Sequence, residues 1–473
     1  MNVFDVNEFK QNAYKAIDWI AQYFENIEQY NVKSTVNPGD IKNKIPEFPP
    51  SESHEFDLIV DDFKKIIVPG MTHWQSPNFF AYFPANSSFP SILAEMFTAA
   101  LGAQCMKWDT SPAAAELEEQ MMNWLKQMTG LPGSFHGVIQ DTASTATLCA
   151  ILTAREKFTN GSINNDGFEN KKFRVYCSSE AHSSVEKAVK IAGIGKKNLV
   201  KIAVDENFAM IPSELKKAID ADLKHGFIPL CVVAAFGTTG STAIDPIEAI
   251  SEITSKHQLW LHVDAAFGGS ALILPEIRPL AKGIDRADSL VFNPHKWLFT
   301  NFDCSAYFVK DKEALINTFQ IIPEYLKTKT AGLVHDYCDW GIQLGRRFRA
   351  LKLWFVIRSF GVDGLQKRIR EQLQLTGSLV KLLKHSGKFE ILAPVPFTLV
   401  CFQYVPDKNL SLEKINELNE TLLHRLNSTG KIYISHTKLN GRYALRLQAS
   451  QTFVQERHIE SAFQLMEKTA SEL

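Results

Sequence analysis

Two charged residues each lie at the end of an apolar run typical of a buried β-strand. Lys296 follows Ser-Leu-Val-Phe-Asn-Pro-His, and Asp264 follows Trp-Leu-His-Val. A lysine at a strand end is usually solvated, but burial would lower its pKa and leave a neutral amine able to form a Schiff base. A lone aspartate there is usually a cap, or it needs a cationic partner. Because ligands bind at the carboxyl ends of parallel strands, the pair predicts a site at that edge of a sheet.

A third segment, Gly137 to Thr145, carries small and hydroxyl residues directly before an apolar helix. Thr142, Ala143 and Ser144 would offer backbone N–H groups and a hydroxyl to a phosphate, although plain N-capping explains the same residues. The segment has neither the Gly-Lys-Ser/Thr of a Walker loop nor a GxGxxG pattern, so a nucleotide cofactor is disfavoured.

Other polar residues also follow predicted strands. His182 lies between the strand-like Phe-Arg-Val-Tyr-Cys and a helix, and Thr238 and Thr239 end another apolar run. Each either faces the same crevice or serves only as a structural cap. His262 and His295, with the aspartate between them in sequence, leave open a metal-dependent hydrolase, although they form no HExxH or other dense ligand motif.

The elements that would position these residues alternate between helix and strand. Residues 85–365 predict a large α/β domain with a mostly parallel sheet covered on both faces. Residues 1–84 predict a helical arm and linker, which cannot be stable alone and must dock on the main body or on a second copy of the chain, of which we favour the second copy. Residues 366–473 predict a smaller α+β domain, with strands that include Lys431–His436 and a last helix from Gln455 to Ser471.

Composition limits the class of protein. The chain has 473 residues and a formal net charge of −1, with no basic run, so nucleic acid and membrane surfaces are not expected partners. No apolar stretch is long enough to cross a bilayer, and the seven cysteines show no metal or disulfide spacing. We therefore expect a cytoplasmic protein with reduced cysteines and a small-molecule partner.

Four segments and their order carry a family resemblance: Phe79-Phe80-Ala81-Tyr82-Phe83-Pro84, Ala181-His182-Ser183-Ser184, His262-Val263-Asp264-Ala265-Ala266 and Asn293-Pro294-His295-Lys296-Trp297. They resemble the group II pyridoxal 5'-phosphate (PLP) decarboxylases, and among these the aromatic L-amino acid decarboxylases. The similarity spans nearly the whole chain and includes Leu344-Gly345-Arg346-Arg347-Phe348-Arg349.

The resemblance implies the type I PLP-dependent transferase (aspartate aminotransferase-like) fold, with a mostly parallel seven-stranded sheet. It implies a homodimer whose N-terminal arms embrace the partner, with both active sites at the interface. Lys296 would hold PLP covalently, Asp264 would pair with the pyridine nitrogen, and His182 would stack on the ring and help place the substrate carboxylate. The implied cofactor contacts are Thr142, Ala143, Ser144, His182, Thr239, Asp264, Asn293, His295 and Lys296.

The segment from Ile321 to Leu344 has no clear period and is long for a loop, which indicates a mobile lid. By resemblance, Tyr325 on this lid protonates the substrate Cα after decarboxylation. Relatives with phenylalanine there tend to be aldehyde synthases, so Tyr325 favours simple amine production. Without the resemblance, the sequence alone favours a packing role for Tyr325.

The resemblance also implies a substrate pocket formed by Trp74, Tyr82, Phe83, Pro84, Ala85, Gln104, Met106 and Gly345. Ala85, Gln104 and Met106 depart from the animal enzymes, which leaves the ring preference open. Gly345 matches a small residue associated with tolerance of indole rings. Asp141, beside the phosphate segment, is also unlike the animal enzymes and is expected to point away from the anion.

The sequence predicts PLP-dependent decarboxylation of tyrosine, dopa, tryptophan, 5-hydroxytryptophan or phenylalanine to the amine and CO2. The alternatives are a PLP decarboxylase of histidine, glutamate or an aspartate-like acid, an aromatic aldehyde synthase, and a non-catalytic relative. An acidic substrate would need a facing arginine, and the aromatic wall argues against one.

Overall fold

The computed structural model describes residues 5–168, 171–321 and 334–473. The chain divides into two compact units, a small one (Met1–Pro84, Lys381–Glu390 and Gln403–Leu473) and a large one (Ala85–Val380 and Ile391–Phe402). The predicted boundary between residues 365 and 366 falls within a helical segment, Arg349–His385. The three-part division drawn from sequence stays a prediction.

The helices and strands follow one another along the described chain. The α-helices are α1 (Val6–Glu25), α2 (Phe56–Asp62), α3 (Phe89–Leu101), α4 (Pro112–Thr129), α5 (Ala143–Thr159), α6 (Ser162–Asp166), α7 (Ser183–Ile191), α8 (Pro212–Lys224), α9 (Ile247–His257), α10 (Pro294–Trp297), α11 (Lys312–Phe319), α12 (Arg349–His385), α13 (Leu412–Ser428) and α14 (Glu456–Ser471). The strands are β1 (His136–Gln140), β2 (Phe173–Ser178), β3 (Leu199–Ile202), β4 (Ile228–Ala235), β5 (Trp260–Asp264), β6 (Ser289–Phe292), β7 (Ser305–Val309), β8 (Phe389–Ile391), β9 (Leu399–Tyr404), β10 (Ser435–Leu439) and β11 (Arg442–Gln448). Helix α12 is interrupted at Gly361, whose φ of 64° is not helical.

The large unit is built on a seven-stranded sheet in the order β1-β7-β6-β5-β4-β2-β3. Strand β7 runs antiparallel to both of its neighbours, and the pairs from β6 to β3 are parallel. Every residue of β6 and β7 is buried, as expected for a sheet covered on both faces. The predicted type I fold with a mostly parallel seven-stranded sheet is confirmed.

Helix α5 packs across the middle of this sheet, against β1 and the strands from β4 to β7. Ten of its residues are buried, and the apolar ones belong to the main core together with Val175, Val233 and Val291. Its N-cap is Thr142, whose side chain accepts a hydrogen bond from the Thr145 N–H. The sheet order therefore places the start of α5 at the carboxyl edge of the central strands.

The small unit contains most of a four-stranded sheet in the order β10-β11-β9-β8. The buried Asn419 on α13 donates to the Tyr404 carbonyl and accepts from the Tyr404 N–H, at 2.8 and 2.7 Å, which fixes the helix to β9. The strand predicted over 431–436 was placed too early, because β10 begins at Ser435. The backbone of Tyr433 pairs instead with Asn78 and Phe80.

Helix α1 matches the predicted amphipathic arm and begins at the N-cap Asp5. Phe9 and Tyr14 on this helix are 71% and 60% exposed in the single chain. Across the described ranges, no helix combines the length and apolar character needed to cross a bilayer. All seven cysteines are free and buried.

The backbone packs closely just after β5. A Cβ added to Gly268 would lie 2.4 Å from the Phe236 carbonyl oxygen and 2.8 Å from the ring of Phe397. Neither neighbour is the flexible end of a side chain, so a larger residue must displace backbone or a packed ring.

We expect Gly268→Ala to lower the free energy of unfolding by about 1–3 kcal/mol, because it overpacks this contact. The matched control is Gly364→Ala on α12, where the nearest atom to an added Cβ is 3.5 Å away. The control should be neutral or stabilising by about 0.4–1 kcal/mol. Urea unfolding of both variants measures the difference, and equal stabilities would contradict the packing argument.

Candidate active site

The carboxyl edge of the central sheet collects most of the side chains singled out from the sequence. Strands β1, β6, β5, β4 and β2 all point the same way, because β7 reverses direction between β1 and β6. Their ends lead to Thr142–Ser144, Asn293–Lys296, Asp264, Thr238–Thr239 and His182, respectively. A ligand site at this edge follows the general rule for open α/β sheets.

Lys296 lies on the single-turn helix α10, directly after β6. Its N–H donates to the Asn293 carbonyl at 2.9 Å, and its own carbonyl accepts from Nδ2 of the buried Asn86 at 2.6 Å. The next residue, Trp297, stacks on Phe267 with ring centroids 4.6 Å apart. These contacts fix the backbone from which the lysine side chain extends.

Desolvation by burial lowers the pKa of Lys296, and the nearby Asp264 carboxylate partly opposes that shift. Asp264 is the last residue of β5, and its Oδ1 accepts from the Ala266 N–H at 3.1 Å. It lies on the same face of β5 as His262, whose ring contacts Thr147 of α5 at 3.4 Å. The carboxylate and α5 therefore lie on the same side of the sheet.

His182 is the N-cap of α7, and its Nδ1 accepts from the Ser184 N–H at 3.2 Å. Desolvation lowers its pKa, Asp264 raises it, and Lys296 and Lys187 lower it further. The ring is therefore mostly neutral at pH 7. With Nδ1 occupied as an acceptor, its proton lies on Nε2.

His295 shows the same arrangement in a buried setting. Its Nδ1 accepts from the Cys304 N–H at 2.9 Å, and burial with the charge of Lys296 lowers its pKa to about 3. The neutral ring again carries its proton on Nε2. Asn293 is 3% exposed, and within the described residues its Oδ1 has no hydrogen-bond partner, so a hydrogen-bond donor of a ligand would satisfy this oxygen.

The start of α5 offers the anion-binding end of a helix. Asp141 precedes it, and its Oδ1 accepts from the Thr142 N–H at 2.6 Å, while Oδ2 accepts from Nε2 of Gln343 at 3.4 Å. Both oxygens of the Asp141 carboxylate therefore already accept hydrogen bonds from protein groups. Ala143 and Ser144 occupy the first turn beyond it, with Ser144 exposed.

The residues predicted to line the substrate pocket belong to two different units. In the small unit, Trp74 stacks on Tyr82 at 5.9 Å, and the hydroxyl of Tyr82 lies 3.2 Å from that of Tyr433. Tyr82 has a φ of 53°, which is strained for an aromatic residue and frequent near functional sites. Phe83 and Pro84 follow it directly.

In the large unit, Gln104 and Gly345 lie together. A Cβ on Gly345 would lie 3.2 Å from Nε2 of Gln104. The carbonyl of Met106 accepts from the Cys338 N–H at 2.9 Å, and Ala85 is half-buried. Tyr325 lies outside the described residues, as do the other residues of 322–333.

The metal-hydrolase alternative gains no support from the described part of the chain, where no group of three or more candidate ligands could hold a metal ion. Nδ1 of His262 contacts Ser289 at 2.9 Å, and its Nε2 contacts Thr147. Burial lowers the pKa of His262 to about 4. Its ring serves a buried hydrogen-bond network.

Asn86 is a residue that the sequence reasoning missed. It is 1% exposed, it bonds the Lys296 carbonyl through its side chain, and its N–H donates to the His295 carbonyl at 3.1 Å. Its neighbours Ser87 and Ser88 are also buried. Only a run of polar residues before α3 marked this segment in the sequence, and such runs are usually helix caps.

Comparisons with known proteins agree with this geometry. Residues 38–405 match the pyridoxal-dependent decarboxylase conserved domain. The chain is 41% identical over 478 residues to tyrosine decarboxylase 2 of Narcissus pseudonarcissus, covering 99% of this chain and 95% of that one. It is also 41% identical over 479 residues to phenylacetaldehyde synthase of Arabidopsis thaliana, with 99% and 97% coverage. The crystal structure of Oryza sativa TDC with PLP and tryptamine superposes with a TM-score of 0.97 at 36% identity, covering 100% of this chain and 99% of that one.

The fold and the site define a PLP-dependent enzyme of fold type I. The chain belongs to the pyridoxal-dependent decarboxylase family, and it is a PLP-dependent amino acid decarboxylase. The predicted family, enzyme class and cofactor are confirmed. The residues present fit PLP, since a desolvated lysine, a carboxylate on the neighbouring strand, a helix start and the unsatisfied Asn293 lie at the same edge.

We expect two substitutions to move the pKa of His182 in opposite directions in the cofactor-free protein. Asp264→Asn should lower it further, because the carboxylate favours the protonated ring. Lys187→Gln should raise it, because a nearby positive charge is removed. NMR titration of labelled histidine, with His182→Gln to assign the signal, measures both. Shifts of the same sign would contradict the electrostatic assignment.

Proposed function

We propose that the chain decarboxylates aromatic L-amino acids to the corresponding amine and CO2. The observation that carries the proposal is the desolvated Lys296 beside Asp264 at the sheet edge, in a chain that resembles a tyrosine decarboxylase along its full length. The cluster of Trp74, Tyr82 and Tyr433 supports an aromatic substrate, because such surfaces accept flat apolar rings.

In this proposal, PLP supplies the electron sink that accepts the electron pair left when carbon dioxide departs. Lys296 would hold the cofactor through its amine, because its lowered pKa keeps more of that amine neutral and nucleophilic. Asp264 would pair with the pyridine nitrogen and keep it protonated. The side-chain amide N–H of Asn293 and the Nε2–H of His295 would hold the phosphate, together with the first turn of α5 and Thr239.

His182 presents a neutral ring with its proton on Nε2, and the Ser184 N–H fixes its orientation. We assign it two tasks, packing against the cofactor ring and donating a hydrogen bond that orients the substrate carboxylate. A charged ring would bind that carboxylate more strongly and resist its conversion to neutral carbon dioxide. The lowered pKa therefore suits a group that positions the substrate.

We also propose that the enzyme works as a homodimer with N-terminal arms that embrace the partner. On α3, Leu93, Met96, Phe97 and Leu101 form one apolar face and are each between 41% and 65% exposed in the single chain. The arm helix α1 exposes Phe9 and Tyr14 in the same way. Apolar faces of this kind support burial against a second copy. Seven free, buried cysteines support a cytoplasmic location.

The second candidate function is aromatic aldehyde synthesis, favoured by the likeness to phenylacetaldehyde synthase. Tyr325 opposes it, because a tyrosine can return a proton to the substrate Cα and thereby complete amine formation. Decarboxylation of histidine or an acidic amino acid has less support, because the residues predicted to receive the substrate side chain include the stacked aromatic rings of Trp74 and Tyr82.

The proposal predicts that the purified protein converts at least one aromatic L-amino acid to its amine with release of CO2. Lys296→Ala should reduce amine formation by at least about 1,000-fold and abolish the visible absorbance of covalently held PLP. The control is Lys310→Ala, since burial also lowers the pKa of Lys310 but it follows β7 at the opposite edge. Wild-type absorbance in Lys296→Ala would refute the lysine assignment.

For Tyr325, which the described residues do not include, we expect Tyr325→Phe to divert turnover from amine toward aldehyde, ammonia and hydrogen peroxide with consumption of oxygen. The reason is that the hydroxyl proton donor is lost while the ring remains. Amine, aldehyde and peroxide are measured together under air. An unchanged amine yield would remove Tyr325 from the mechanism.

A further inference from the structure

The segment Leu344–Arg349 carries three arginines, one of which enters the core of the large unit. Arg346 is 7% exposed, and its two terminal nitrogens donate to both carboxylate oxygens of Glu118, at 2.6 and 3.0 Å. Glu118, on α4, is 2% exposed. The pair is bidentate, which fixes orientation as well as distance.

Strand β1 joins this ion pair. The Ile139 N–H donates to Oε1 of Glu118 at 2.8 Å, and the Ile139 carbonyl accepts from Arg346 at 2.9 Å. The guanidinium also lies 5.0 Å from the ring centroid of Tyr337. One charged pair therefore ties α4, β1 and the 344–349 segment to one another.

The backbone of Arg346 extends this connection to the proposed substrate pocket. Its N–H donates to Oε1 of Gln104 at 2.7 Å, and its carbonyl accepts from the Cys105 N–H at 3.0 Å. The Gln104 amide is thereby held against Gly345, where an added Cβ would lie 3.2 Å from Nε2. The position of Arg346 therefore determines how close the Gln104 amide lies to Gly345.

Burying two charges is a poor source of net stability, because desolvation offsets most of their attraction. A bidentate pair with further hydrogen bonds does fix geometry. Neither side chain is accessible enough to contact a substrate, since both are almost completely buried. Glu118 and the Arg346 side chain can therefore affect turnover only indirectly, by fixing the positions of the residues that they contact.

We propose that Glu118 and Arg346 are positioning residues that set ring selectivity by holding Gln104 against Gly345. The inference rests on the proposed decarboxylation of aromatic amino acids and adds a determinant of which ring is accepted. The pocket would discriminate between indole and phenol rings through the position of the Gln104 amide, which is itself exposed.

The experiment compares Glu118→Gln, Gln104→Leu and their double variant by the ratio of kcat/KM for tryptophan to that for tyrosine. Glu118→Gln keeps the shape but places an amide donor against the guanidinium. The matched control is Glu156→Gln, which alters a second buried pair, Arg155–Glu156, toward the far end of α5. Bound PLP is quantified by absorbance in every variant.

We expect Glu118→Gln and Gln104→Leu each to change the selectivity ratio by at least about fivefold at unchanged PLP content, with no change in Glu156→Gln. The double variant should match Gln104→Leu alone, because both substitutions act through one amide. Independent, additive effects would overturn the inference, as would a Glu118→Gln ratio equal to that of the control.

If Glu118→Gln does not fold, Gln104→Leu decides the matter, because Gln104 is exposed and its replacement leaves no buried charge unpaired. An unchanged ratio in that variant overturns the inference while the proposed function stands. A wild-type protein that converts no aromatic amino acid overturns the proposed function and the inference with it.

Discussion

The burial of the Lys296 amine beside the Asp264 carboxylate is the constraint on which the rest of the large unit depends. A lysine in water is protonated at neutral pH and is a poor nucleophile, so Lys296 must be kept out of water. Full withdrawal without compensation would be too costly, and Asp264 on the adjacent strand supplies the compensating charge. The stacked Trp297 and the hydrogen bonds of Asn86 and Asn293 hold the lysine backbone at that position.

The same two factors, a backbone hydrogen bond and burial, favour the neutral form of His182 and of His295. In each, a backbone N–H donates to Nδ1, from Ser184 in one case and Cys304 in the other, and burial lowers the pKa. The proton is then left on Nε2, so each ring becomes a directed, uncharged donor. Backbone N–H groups are suited to this task because the fold already fixes their position, so no additional side-chain entropy is lost.

Buried and partly buried charged pairs elsewhere in the large unit connect elements that are distant in sequence. The Arg346–Glu118 pair ties α4 to the segment before α12, and Arg349 makes a bidentate contact with Asp303 one residue before Cys304. Removing one partner of a buried pair typically costs about 3–5 kcal/mol, because the other charge is left unpaired. Such pairs therefore tolerate little movement, which suits residues that frame a site.

The sequence by itself determined the elements and the chemistry at their ends. Alternating apolar strands and amphipathic helices predicted the α/β sheet, and Asp264, His182 and Lys296 each lie at or shortly after the end of a strand, where parallel topology gathers side chains at one edge. Only the tertiary structure decided which distant residues act together. Asn86 is about 210 positions from Lys296 and Arg346 about 228 from Glu118, and no local pattern encodes pairs so far apart. The strand predicted from Lys431 was placed too early for the same reason. Tyr433 pairs with residues 78–80, and the sequence near Tyr433 carries no sign of that distant partner.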